Sequence, residues 1–273
     1  MRWEELTSDR FAEAVEEVQG VCLVPLSVVE RHGHHLPMGT DTYIGRAVLD
    51  RAAVLEPAIV FPDYVFTQIP EARHLAGTIA IDGELMIKLL DNVCREIARN
   101  GLKKIALVSA HGGNRGLVSL FPMLQLYQPR DYVVYAVETR PTGAPQPELP
   151  WPAEKDGHAG PGETSMVLAV RPDLVRMELV PKEDEGAALG RLDELGKLGV
   201  TPGIWWYADH PTHYAGDASY ATAEVGERLI DARAQAVARA VRAIKADEVA
   251  PRLQAEFFDG SAKPTNGQGL RAR

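Results

Sequence analysis

The sequence predicts an α/β fold, a three-layer α/β/α sandwich around a mostly parallel sheet. Three observations predict it. Apolar runs at 21–26 and 105–110 have the length and continuity of strands buried on both faces. Each runs straight into a polar, glycine-bearing loop, and helical periodicity follows each loop. No linker-like stretch interrupts this alternation, so residues 1–258 are expected to form a single domain, with a flexible tail at 259–273.

The elements follow in order. Phe11, Val15 and Val18 recur at helical spacing within 7–19, and a strand is expected at 21–28. A loop fills 29–41, and a helix runs from about 42 to 55. Residues 58–66 look extended, and 77–81 resemble a short strand-like turn. Leu85, Leu89, Leu90, Val93, Cys94 and Ile97 mark a helix that Asn100-Gly101 stops. A strand at 104–110, a helix at 115–127 and a strand at 132–137 come next. The prolines of 140–152 exclude regular structure there. A helix through 166–170 follows, and the longest helix, 222–246, carries Val225, Leu229, Val237, Val241 and Ile244 on one stripe, with Arg233 and Arg242 opposite.

Composition narrows the function. A net charge of −9 leaves no basic face for nucleic acid or an anionic membrane. The two cysteines, Cys22 and Cys94, cannot form a disulfide framework and are expected as buried thiols in a reducing cytoplasm. The charged amino terminus lacks a signal peptide's apolar core, and no apolar run is long enough to span a bilayer, so a soluble cytoplasmic protein is expected. There is no nucleophile elbow, no P-loop and no dinucleotide fingerprint, which sets aside serine hydrolase and nucleotide chemistry.

The chemistry concentrates in three loops. Glu30-Arg31-His32-Gly33-His34-His35-Leu36-Pro37-Met38-Gly39-Thr40-Asp41 follows the first strand, where open α/β sheets place their sites. Its carboxylates and imidazoles suit a divalent cation such as Zn, Mn or Fe. His111-Gly112-Gly113-Asn114 ends the 105–110 strand, and the glycines let the backbone aim the imidazole over the sheet edge. His158-Ala159-Gly160 and Glu163-Thr164-Ser165 precede a helix.

These three blocks, in this order, resemble the creatininase family, creatinine amidohydrolase and its relatives, over roughly residues 20–245. The resemblance implies two divalent metal ions (Zn, Mn or Fe) held by Glu30, His32, Asp41, His111 and Glu163, with Asp41 bridging. It also implies a proton-shuttling role for His158 and a homo-oligomer, expected as a hexamer. The family carries a metal-binding carboxylate at the position of Gly113, and Glu163 is the expected replacement, as a ligand or else as the general base. Asp156 could orient His158. His35, Glu71, Arg73, His74 and Trp205 are the candidate substrate contacts. The segment 71–78 lacks the family's usual Ser and Phe, which implies a substrate more polar than creatinine. The function expected is a metal-dependent hydrolase opening the C–N bond of a small polar cyclic amide with a metal-bound hydroxide. The alternatives are hydrolytic ring opening of a cyclic polyhydroxy ketone of the inosose type, and a non-catalytic, metal-stabilised scaffold.

Overall fold

The computed structural model describes residues 1–264 and Gly267. Four strands, β1 (Val21–Leu26), β2 (Ile59–Val60), β3 (Lys104–Ser109) and β4 (Val133–Val137), form one sheet in the order β2-β1-β3-β4. Every pairing is parallel, and β1 and β3 are in register from Val21 opposite Lys104 to Leu26 opposite Ser109. Around the sheet stand α1 (Ser8–Glu17), α2 (Thr40–Leu55), α3 (Gly83–Arg99), α4 (Arg115–Leu124) and α5 (Pro161–Val170). Two one-turn helices, α6 (Asp193–Lys197) and α7 (Trp205–Asp209), precede the long α8 (Ala223–Ala246) and α9 (Val249–Ala262).

All six residues of β1 are buried, because both faces of the sheet are covered. Val21 and Leu23, with Ala106 and Val108 of β3, pack under Ile44, Val48, Met166 and Val237 of α2, α5 and α8. Cys22, Val24 and Leu26, with Ile105 and Leu107, face Ala14, Leu90 and Phe121 of α1, α3 and α4. Alternate residues of one strand therefore feed two cores, and this makes the three layers. Pro25 is tolerated in this central strand. The carbonyl of Leu23 accepts from Phe61 on the β2 side, so position 25 faces the same way, beyond the end of β2.

The chain leaves β1 toward one edge of the sheet and returns on the other side at β3. The crevice at this switch point lies between the carboxyl ends of β1 and β3, where such sheets bind ligands.

Some expectations need correction. α2 begins at Thr40, so Asp41 sits in a helical first turn rather than in the loop, where the helix dipole favours its charge. Of 58–66 only Ile59–Val60 is strand, with Tyr64 bridging to Leu26. No strand forms at 77–81; instead Ile79 donates a single hydrogen bond to the carbonyl of Val29. α9 continues to Ala262, four residues into the stretch expected as tail, where the Ser261 hydroxyl donates to the carbonyl of Phe257 one turn back. The rest of that expectation falls mostly on 265, 266 and 268–273, outside the described residues. Both cysteines are buried and free, and no described helix is long and apolar enough to cross a membrane.

Candidate metal centre and active site

Four elements deliver the cluster. Glu30 and His32 leave the end of β1, Asp41 opens α2, His111 follows β3, and Glu163 stands in the first turn of α5. Glu30, His32 and Asp41 are sealed from solvent, and His111 nearly so. Asp41 faces both ways: Oδ1 lies 3.5 Å from Nε2 of His32, and Oδ2 lies 3.3 Å from Nδ1 of His111. Glu30 Oε1 is 2.9 Å from His111 Nδ1, and Glu163 Oε2 is 3.7 Å from His32 Nε2. Two ligand triads result, Glu30–Asp41–His111 and His32–Asp41–Glu163, joined through Asp41. A third group, Glu30–His32–His158, overlaps both.

The protonation pattern suits a cation. His32 donates from Nδ1 to the carbonyl of Glu30 at 3.3 Å, which turns Nε2 toward the carboxylates, where a proton or a metal cation can sit between them. His32 Nε2, Glu30 Oε1 and Asp41 Oδ2 are all buried without a hydrogen-bond partner. Each such orphan costs about 1–3 kcal/mol. Imidazole nitrogens with carboxylate oxygens are donors for Zn, Mn or Fe. The residues present therefore fit divalent metal.

Electrostatics reflect the crowding. Burial pushes Glu30 upward, but the charge of His111 and the hydrogen bond from His213 hold it well below the usual range. Burial opposes charge on His32, yet Asp41, Glu30 and Glu163 raise it to about 9. Burial also raises Glu163, to about 7, with His32 opposing and Asp41 adding to the rise. The N–H of Ala159 fixes Glu163 Oε2 at 2.7 Å.

His158 reaches the cluster with its ring 4.3 Å from that of His32. Its Nε2 donates to the carbonyl of Arg31 at 2.9 Å, so Nδ1 keeps a free lone pair. Burial and the charge of His32 lower it to about 3, so it is neutral at physiological pH.

One residue escaped the sequence reading. His213 is buried, and its Nε2 bonds to Oε2 of Glu30. The indole N–H of Trp206, which can only donate, approaches His213 Nδ1 at 2.7 Å. The neutral imidazole must therefore carry its proton on Nε2 and give it to Glu30, turning Oε1 toward the cluster. Ala159 and His213 both hold positive φ, 56° and 57°, a backbone strain that clusters at functional sites. Trp206→Phe removes the donor and keeps a ring. Metal titration should show affinity reduced by about 10–100-fold. Unchanged affinity would show that the indole only packs.

The candidate substrate residues divide. A cavity of about 680 Å³ opens over the cluster, lined by Glu71 and Trp205 together with Glu30, His111, His158 and Glu163. Arg73 and His74 do not line it. The short turn at Pro70–Ala72 directs them away, and His74 Nε2 instead donates to the carbonyl of Pro211 at 2.7 Å. His35 also lies behind the cavity wall, sealed from solvent, with Nε2 donating to Thr164 Oγ1 at 2.9 Å. Arg31 and His34 pair with each other at the exposed side of the loop. Glu163 joins the His32 side of the cluster, not the space at Gly113. A Cβ there would meet His111 Nε2 and lie 2.9 Å from Glu71 Oε1, so Glu71 is the carboxylate beside that gap.

His35 carries an acid-lability prediction. Burial, aided by the charge of His32, lowers it from 6.5 to about 4. The unfolded chain takes up this proton near pH 6.5 and the native state does not. Stability should fall as pH drops across that window, by up to roughly 3 kcal/mol, and no further below it. His35→Gln keeps a donor but cannot titrate. Urea unfolding at pH 7 and 4.5 should show a smaller loss in the variant, and equal losses would remove His35 as the cause.

Comparison with known proteins defines the class. The sequence model of the creatininase family, creatinine amidohydrolase, matches residues 4–241. Creatinine amidohydrolase of Pseudomonas putida is 29% identical over 64% of this chain and 74% of its own length. The mycofactocin precursor peptide peptidase of Mycolicibacterium smegmatis is 29% identical over 76% of this chain and 78% of its own. The 3-dehydro-scyllo-inosose hydrolase of Thermotoga maritima is 23% identical over 88% of this chain and 82% of its own. A structure titled creatininase Mn superposes with a TM-score of 0.70 at 23% identity, covering 90% of this chain and 99% of that one. A mutant creatininase of Zn-Zn type gives 0.69 at 24% identity, covering 90% and 98%. The chain belongs to the creatininase family. It is a hydrolase of that family, with an α/β sandwich and a buried cluster suited to metal.

Proposed function

We propose that this protein is a metal-dependent hydrolase that cleaves the C–N bond of a small polar cyclic amide. One observation carries the reading: two candidate ligand triads share Asp41, and Glu30, His111 and Glu163 of those triads line a cavity. Divalent ions held by Glu30, His32, Asp41, His111 and Glu163 would polarise the substrate carbonyl and lower the pKa of water. His158 arrives neutral with Nδ1 open, so it first accepts a proton at that atom and then passes it to the leaving nitrogen. Glu163 presents to His32 the same oxygen that Ala159 fixes, which favours a ligand over a mobile base. Trp205, half exposed at the rim and edge-on to Trp206, offers a wall for a flat ring.

An open-chain peptide amide fits the same chemistry, and the relatives named as peptidases support it. Ring opening of a polyhydroxy ketone rested on a polar wall at 71–74, of which only Glu71 lines the cavity. A closed metal scaffold fits poorly with ligands that face a cavity. The test sets metal-loaded and chelator-treated protein against hydantoins, lactams, creatinine, dipeptides and ketoinositols. Amides should be hydrolysed and chelation should abolish the activity. Turnover of ketoinositols alone, or of amides regardless of chelation, would overturn the proposal.

A further inference from the structure

Two arginines at the wall of this cavity have no partner. Arg233 of α8 and Arg140 of the proline-rich segment both line it, and both also line an adjoining recess of about 310 Å³. Neither makes a hydrogen bond or ion pair with any described residue. Arg233 is half-buried, and its Nε is shut off from water with nothing to receive its proton. The rest of α8 behaves differently. Arg242 and Lys245 of the same helix both pair with Glu56, and Arg228 and Arg239 extend into solvent.

The nearby acids are committed elsewhere. Asp156 turns Oδ1 to the N–H groups of Gly157 and Gly162, and Glu163 turns Oε2 to Ala159 and His32. A guanidinium has five donors and no acceptor, and it keeps its charge in proteins. Leaving one half-buried and unpaired is unfavourable. A second guanidinium beside it adds repulsion: burial and the charge of Arg140 lower Arg233 to about 10, although Glu163, Asp156 and Asp41 oppose the shift. Two guanidinium groups that make no ion pair with any described residue match the planar oxygens of a carboxylate or phosphate.

We propose that Arg140 and Arg233 form an anion subsite of the catalytic cavity, holding a carboxylate or phosphate carried by the substrate a few bonds from the scissile amide. This rests on the amide-hydrolase reading for its substrate but not for its test. Arg233 projects from a helix held on α5, so the subsite is fixed on one side. Arg140 lies on a loop and supplies the adjustable side. The preferred substrate class is then an anionic amide rather than a neutral ring.

Binding to the metal-loaded full-length chain is measured calorimetrically for three probes: N-acetylglycine, its neutral amide, and O-phosphoethanolamine acetylated on nitrogen. The wild type should bind at least one anionic probe about tenfold or more tighter than the neutral amide. Arg233→Met should erase that preference with metal content unchanged, and Arg140→Met, on an exposed loop, should reduce it. Whichever anion is preferred identifies the group. Equal binding of neutral and anionic probes, or a preference that survives both substitutions, overturns the subsite. Absence of amide hydrolysis would sink the functional reading and leave this binding result standing.

Discussion

Asp41→Asn is expected to leave a folded protein with fewer than one divalent ion per chain and almost no hydrolysis. Asparagine matches aspartate in shape, so the packing at the start of α2 survives. The charge and one ligating oxygen do not. Asp41 faces His32 with one oxygen and His111 with the other, so one substitution damages both triads together. Replacing Glu30 or Glu163 touches fewer shared contacts. Loss of several kcal/mol of transition-state stabilisation corresponds to a rate roughly 10³-fold lower or worse. Elemental analysis of gently purified protein should give about two ions for the wild type. A variant that keeps both ions and most of its rate would show that Asp41 does not join the triads.

Gly226→Ala should produce the largest loss of stability. In an ordinary helix interior this change is favourable by about 1 kcal/mol. Here a Cβ would stand 1.9 Å from the backbone oxygen of Ser165 and 2.9 Å from the N–H nitrogen of Met166. Backbone atoms of α5 cannot swing aside as a side chain could. The helices are also stitched at this point, because the Thr222 N–H donates to Ser165 Oγ at 3.1 Å. Forcing α8 and α5 apart should cost about 3 kcal/mol, lowering the melting temperature by on the order of 10 °C. Ser165 lies two residues from Glu163, so the surviving folded protein should also bind metal less tightly. A melting temperature equal to or above the wild type would show that the two helices do not pack at Gly226.

Much of this cluster was legible in the sequence because its candidate ligands lie at strand ends and helix starts, where local pattern and topology agree. Glu30, His32 and His111 follow apolar runs, and a parallel sheet brings such positions to one edge. Asp41 and Glu163 open helices, where first-turn acids are expected in any case. His213 left no such trace. An isolated histidine among aromatics looks the same whether it packs or orients a carboxylate, and its partner Glu30 is 183 residues away. Arg233 was hidden by periodicity. It falls on the polar stripe of α8, which a single helix would show to water, and only the proline-rich segment folding across makes it a cavity wall. Arg73 and His74 misled in the opposite sense: they neighbour Glu71 in sequence, but the turn at Pro70–Ala72 sends them elsewhere.

The bond between His213 and Glu30 also has a consequence for how the chain matures. Glu30 is made together with strand β1, while the loop that restrains its carboxylate is made 183 residues later. Until residues beyond His213 have been made, a nascent chain can pair β1 with β3 yet still leave Glu30 and Asp41 as buried charges without their full set of partners. That arrangement is unfavourable, and only the loop carrying His213 completes the set. The site therefore rests on a contact of 183 residues' separation, and the loop-closure cost of such a contact exceeds that of the pairings within the sheet. A sheet alone does not make the site; the loop carrying His213 does, when it returns to the first strand.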